Sequence, residues 1–167
     1  MLRKVRAHAP GFCILNGSQQ AFDLTARVLI DPGDLVLLEE PHYRAARVVM
    51  QAAGATTRSL PVDEQGLCTG QLPTKGKGSS LIIVTPSHQF PTGAVLPLAR
   101  RLELLAWSQR ESVFIFEDDY DSEYRYSGRP IEALQALDNH GSVLYAGTFS
   151  KVMFPALRLG YLVVPEQ

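Results

Sequence analysis

Short apolar runs alternate along the chain with longer stretches that place apolar residues on one helical face. Residues 19–30 put Ala21, Leu24 and Val28 at helical spacing, and Asp31-Pro32-Gly33-Asp34 supplies the turn that ends that helix. Residues 35–38 read as a short buried strand closing at Glu39-Glu40-Pro41, residues 42–53 as a helix stopped by Gly54, and residues 56–61 as a second strand. Residues 81–85 form a strongly apolar strand, 96–108 an amphipathic helix and 113–116 another buried strand. Strands over 142–146 and 159–164 complete the set. Short apolar strands alternating with helices predict an α/β domain with a mostly parallel sheet sandwiched by helices.

Composition narrows this picture only slightly. The 167 residues are 46% hydrophobic and 20% charged, with sixteen basic and seventeen acidic side chains and a formal charge of −1. That balance offers no whole-chain basic excess for nucleic acid and no acidic run of the disordered kind. The apolar runs, Leu81 to Val84 among them, are too short to span a bilayer, so no membrane partner is expected. Cys13 and Cys68 have neither metal-type nor redox-type spacing and suit a reducing, cytoplasmic setting. A single domain is expected at this length.

In parallel sheets, ligands bind beyond the carboxyl ends of the strands. Four chemically loaded segments fall at such ends: Glu39-Glu40-Pro41, Pro86-Ser87-His88-Gln89, Glu117-Asp118-Asp119 and Gly147 to Lys151. Asn16-Gly17-Ser18-Gln19 precedes a helix and is either an ordinary N-cap or an anion site made of free N–H groups. Gly147-Thr148-Phe149-Ser150-Lys151 offers two hydroxyls and an amine, with an exposed loop lysine as the plainer reading. Arg158 is either a surface arginine or a phosphate holder at the mouth of a strand. The run Glu117-Asp118-Asp119-Tyr120-Asp121-Ser122-Glu123 admits three readings: a Mg²⁺-type site, a solvated acidic loop, or one buried aspartate paired with a cationic ring nitrogen. Spacing alone does not choose among them. No metal is expected once the segments are taken together.

Taken in order, the segments resemble the large domain of fold-type I aminotransferases. They resemble still more the aminotransferase-like effector domain of MocR/GabR-type regulators in the GntR family. The motifs that carry the resemblance are Asn16-Gly-Ser-Gln-Gln-Ala21, Asp31-Pro-Gly-Asp34, Glu40-Pro-His-Tyr43, Pro86-Ser-His-Gln-Phe-Pro-Thr-Gly93, Glu117-Asp-Asp-Tyr-Asp-Ser-Glu-Tyr-Arg-Tyr126 and Gly147-Thr-Phe-Ser-Lys-Val-Met-Phe-Pro-Ala-Leu-Arg-Leu-Gly-Tyr161. The resemblance implies pyridoxal 5'-phosphate as cofactor, held as an internal aldimine by Lys151. It implies that Asp118 faces the pyridine nitrogen, Tyr120 hydrogen-bonds the ring's 3'-oxygen and Tyr43 stacks on the ring. Gly17, Ser18 and Gln19, joined by Thr148, Ser150 and Arg158, would bind the phosphate.

Two departures qualify the family pattern. Phe90 stands where many aminotransferases have the asparagine that touches the 3'-oxygen, and His88 and Gln89 are the candidates to replace it. Tyr120 follows Asp118 by two positions, where many of those enzymes space the pair by three. Both fit the regulator group. On that resemblance residues 1–167 are part of the large domain, and a winged-helix DNA-binding domain and a small C-terminal domain are expected outside them. The full protein is expected to be a homodimer that senses a small amino compound and meets DNA through its N-terminal domain. An aminotransferase acting on an amino acid is the alternative, and a cofactor-free structural remnant a third.

Overall fold

In the computed structural model, which describes residues 11–74, 79–121, 132–150 and 153–165, alternate residues of each central strand face opposite helical layers. The strands are β1 (Phe12–Leu15), β2 (Leu35–Glu40), β3 (Thr56–Asp63), β4 (Gly66–Leu67), β5 (Ser79–Val84), β6 (Phe114–Asp119), β7 (Val143–Thr148) and β8 (Gly160–Val163). The helices are α1 (Ser18–Leu29), α2 (Arg44–Ala52), α3 (Leu98–Glu111) and α4 (Leu134–Leu137). Val36, Leu38, Leu81, Ile83, Phe116, Leu144 and Ala146 pack beneath Ala21, Phe22 and Ala26 of α1 and Ala46 and Met50 of α2. The intervening Leu37, Ile82, Val84, Ile115 and Val143 pack beneath Leu104 and Trp107 of α3 and Leu134 of α4. Side chains on a strand alternate with period two, so a continuous apolar run fills both layers. Each such leucine, isoleucine or phenylalanine contributes about 1.5–3 kcal/mol of burial.

The sheet order is β1-β8-β7-β6-β5-β2-β3-β4. Pairs β2–β3, β2–β5, β5–β6 and β6–β7 are parallel, in agreement with the expected mostly parallel sandwich. Pairs β7–β8, β1–β8 and β3–β4 are antiparallel. Helix α2 leads from β2 outward to β3, whereas α3 leads from β5 in the opposite direction to β6. The chain therefore switches direction between β2 and β5, and a crevice opens there at the carboxyl ends of the strands.

Several boundaries differ from the sequence expectation, each for a local reason. Helix α3 starts at Leu98 rather than 96, because Leu96 precedes Pro97 and is pushed out of the helical region. Helix α2 starts at Arg44 rather than 42, with Tyr43 extended at φ −67° and ψ 108°. Strands β2, β6 and β7 run past their apolar cores into Glu39-Glu40, Asp118-Asp119 and Gly147-Thr148. The ladder is made by the backbone, so it continues through polar side chains: Asp118 pairs with Ala146 and Asp119 with Gly147.

Gly147 is one position where a side chain is excluded. A Cβ there would stand 2.6 Å from Cε1 and from the hydroxyl oxygen of Tyr161. Gly147→Ala is expected to destabilise the chain by about 1–3 kcal/mol, read as a lower urea midpoint at unchanged slope. Among the described residues no helix is long and apolar enough to cross a membrane.

Candidate functional site

The crevice between β2 and β5 is lined by Phe22 of α1, Glu39, His42, Tyr43, Thr85 and Asp118. Asp118 enters it because it shares a sheet face with Phe116, whose ring stacks on Phe22 at 4.7 Å. Asp118 is 6% exposed and its Oδ1 has no hydrogen-bond partner. Burial pushes its pKa up to about 7, helped by the negative charges of Asp119, Asp121 and Glu39. Glu39 is also buried, and burial raises its pKa. Its Oε2 accepts the Thr85 N–H at 3.1 Å, the Thr85 hydroxyl at 2.7 Å and Gln89 Nε2 at 3.3 Å. A buried carboxyl with one unpartnered oxygen, beside other acids, calls for a cation or a donor.

The acidic run does not act as one cluster. Glu117 points into the opposite layer, accepts the Leu134 and Gln135 N–H groups at 3.1 and 3.0 Å, and lies 3.8 Å from Arg101 Nη1. Asp119 accepts the Tyr145 hydroxyl at 2.5 Å, and burial with this neighbour raises the Tyr145 pKa. Consecutive strand residues face opposite sides, so Glu117 and Asp118 diverge, and the burial of all three is at odds with a solvated loop. Among the described residues no group of three or more His, Cys, Asp or Glu is arranged to hold a metal ion.

A row of aromatic rings leads away from Tyr43 in the crevice lining. Tyr43 lies 6.4 Å from Phe22 and meets Phe90 edge-on at 6.0 Å, and Phe90 meets Tyr120 edge-on at 5.9 Å. Tyr120 stacks on His88 at 6.0 Å, and burial followed by the charge of Asp121 raises its phenol pKa. His88 Nδ1 is paired with Asp121 Oδ2. Gln89 is held within the loop that follows β5. It is 1% exposed, and Nε2 donates to Pro41 O at 2.8 Å and Phe90 O at 2.7 Å. Its Oε1 accepts the Thr92 hydroxyl at 2.7 Å, so the amide is saturated by the loop that it holds.

A second corner gathers the expected anion ligands. Helix α1 begins after Gly17 at φ 80°, with no side-chain cap and no acidic residue in its first turn. A Cβ on Gly17 would lie 3.8 Å from Arg158 Nη2, so the guanidinium stands in van der Waals reach of the residue that opens the helix, and the positive φ is what favours glycine there. Gly160 holds the corner closed: a Cβ there would stand 3.0 Å from both Gly17 Cα and Gly147 O. Strand pairing sets Thr148 against Gly160, and the Phe149 N–H reaches Leu159 O at 3.0 Å. Thr148 Oγ1 donates to Ser150 Oγ at 2.9 Å. Gly17, Ser18, Gln19, Thr148, Ser150 and Arg158 thus converge, although they come from opposite ends of the chain. Lys151 lies outside the described residues, as do residues 122–126 of the acidic motif.

Two groups escaped sequence reading. Asp121 is the partner of His88 across 33 positions, for which spacing gives no signal. Arg101 sits in an amphipathic helix yet is fully buried, where charge alone suggests a solvated face.

The model of the family aminotransferase class I and II matches residues 4–167. The chain is 46% identical over 155 residues to a probable rhizopine catabolism regulatory protein, MocR, of Rhizobium meliloti, covering 92% of this chain and 31% of that protein. It is 43% identical over 152 residues to the HTH-type transcriptional regulator TauR of Rhodobacter capsulatus, covering 91% and 31%. The crystal structure of Pyrococcus horikoshii kynurenine aminotransferase, in complex with PMP, superposes with a TM-score of 0.85 at 36% identity, covering 92% of this chain and 40% of that one. The chain spans about a third of the length of the curated relatives it matches. Its fold is that of the fold-type I pyridoxal-phosphate-dependent aminotransferases, and the chain belongs to the aminotransferase class I and II family.

Proposed function

We propose that the chain is the pyridoxal 5'-phosphate-binding, aminotransferase-like large domain of a GntR/MocR-type transcriptional regulator, and that it senses a small amino compound at Lys151. The observation that carries this reading is Asp118, a buried carboxyl whose Oδ1 has no partner. It stands in the crevice at the switch between β2 and β5. The residues fit the group. Asp118 suits a protonated ring nitrogen, Tyr43 offers a face to a flat ring, and the capless α1 N-terminus with Arg158 suits a phosphate. When bound, pyridoxal phosphate supplies an electrophilic carbon and a ring that accepts an electron pair.

The chain's own residues then divide the work. Asp118 holds a proton at its carboxyl in part of the molecules at pH 7 and becomes a carboxylate when a cation faces it. Tyr120 keeps its phenol proton and donates it toward the 3'-oxygen, because burial and the neighbouring acids oppose its ionisation. Lys151 is the amine to which the cofactor attaches. The parent protein would be a cytoplasmic homodimer reaching DNA through a separate N-terminal domain, with a small domain completing the effector site. Phe90 in the asparagine position counts against efficient transamination and favours the sensor reading over an amino-acid aminotransferase.

The test is to titrate the purified chain with pyridoxal phosphate, reduce with borohydride and map the modified lysine. Labelling at Lys151 is expected. Labelling at Lys75 or Lys77 instead, or none at all, overturns the site. Turnover with amino donors would move the assignment to the enzyme alternative.

A further inference from the structure

We infer that His88 and Asp121 form a relay that turns the Tyr120 proton away from His88 and leaves it to donate, doing through a tyrosine what an asparagine at position 90 would do directly. The inference rests on the cofactor reading for its target, but the relay is built entirely from this chain's side chains.

One nitrogen faces both partners. His88 Nδ1 is paired with Asp121 Oδ2 and lies 3.5 Å from the Tyr120 hydroxyl oxygen. A carboxylate only accepts, so the proton between the pair sits on Nδ1. Tyr120 oxygen then lies at the edge of an N–H donor, and Nδ1 is closed to the phenol as an acceptor. The phenol's own proton must point elsewhere. At 3.5 Å the contact is too long to bind tightly, and it steers rather than holds.

The rings fix the direction. His88 stacks on Tyr120 with planes 16° apart, while Phe90 meets the same ring edge-on at 86°. His88 Nε2 would be 3.0 Å from a Cβ on Gly93, so the glycine at φ 78° lets the imidazole lie against the loop backbone. Asp121 is more sheltered than His88, at 15% against 49% side-chain exposure, so the acid anchors the more exposed imidazole. Phe90, which has no polar atom to offer the 3'-oxygen, becomes part of the clamp that sets the tyrosine. The charged groups facing the Tyr120 phenol are Asp118 and Asp119 of β6, Asp121 beyond it, and Glu39 of β2. All are acids and all favour the protonated, donating phenol.

Two measurements test the relay on the whole chain. In the ligand-free protein, the Tyr120 phenol is titrated by ultraviolet difference against Tyr120→Phe. Asp121→Asn should move it to lower pH, by roughly half a unit or more, because one opposing charge is lost. In the loaded protein, the pH midpoint of the bound cofactor's absorption is followed. A donor to the 3'-oxygen favours its ionised form, so Tyr120→Phe and His88→Leu should both raise that midpoint. His88→Gln, which keeps an N–H donor, should recover part of the change. If Tyr120→Phe moves the midpoint and the His88→Leu variant titrates as wild type, the relay is overturned while the cofactor reading stands. If wild type binds no pyridoxal phosphate, the cofactor reading fails and the ligand-free titration alone decides: a phenol that His88→Leu leaves unmoved overturns the relay, and a moved one supports it.

Discussion

Asp118→Asn is expected to make the ligand-free chain more stable at pH 8 and to weaken pyridoxal phosphate binding by tenfold or more. The carboxyl titrates near 3.8 when solvated and near 7 in the folded crevice. Between those values the folded chain keeps a proton that the unfolded chain has lost, so folding stability falls as pH rises through that window and is flat above it. A displacement of that size corresponds to a penalty on the order of 2–4 kcal/mol at pH 8, after allowing for relaxation of so buried a group. Asparagine has similar shape and no charge, so it removes the penalty above pH 7 and changes little below about pH 4. The same change deprives a cationic ring nitrogen of its counter-charge. Urea unfolding at pH 4 and pH 8, with a cofactor titration at pH 8, reads both effects. A variant less stable than wild type at pH 8 would show that Asp118 supports the fold, and one that binds the cofactor normally would remove it from the site.

Such opposed effects would mark a residue kept for a ligand rather than for the fold, a distinction that only part of the sequence could show. Helix α1 and the strands β2, β5 and β6 were visible because apolar spacing reports which residues face a core. Spacing does not report pairing. Strand β8 runs antiparallel to β7, and β1 had no apolar alternation because Phe12, Cys13 and Ile14 are all exposed at the edge of the sheet. The convergence of Gly17, Thr148 and Arg158 followed from motif order, since each motif by itself read equally as an N-cap, a loop or a surface arginine. The roles of Gln89 and Asp121 were not legible, because a saturated amide and a charged partner depend on loop geometry that no spacing encodes. Glu117 and Asp118 looked equivalent in sequence and are separated only by the pleat, which sends one to Arg101 and the other to the crevice.

That separation makes Arg101→Met the second large effect, with an expected loss of about 3–5 kcal/mol. Arg101 is fully buried, donates Nε to Leu96 O at 2.9 Å, Nη1 to Glu132 O at 3.1 Å and Nη2 to Pro86 O at 2.6 Å, and faces Glu117. Methionine fills similar volume but strips donors from three carbonyls and removes the cation opposite a buried carboxylate. Arg101→Lys keeps the charge without the planar fork and should cost less, while Arg101→Met combined with Glu117→Gln should recover part of the loss. Thermal and urea unfolding measure the loss of fold stability. The functional consequence is a further fall in pyridoxal phosphate affinity under conditions where the variant is still folded. Pro86 begins the loop that carries His88, and Glu117 precedes Asp118 on the same strand, so one guanidinium sets the origin of both the His88 loop and the strand end that carries Asp118. Unchanged affinity in a folded Arg101→Met would mean that the strand ladder alone positions the crevice.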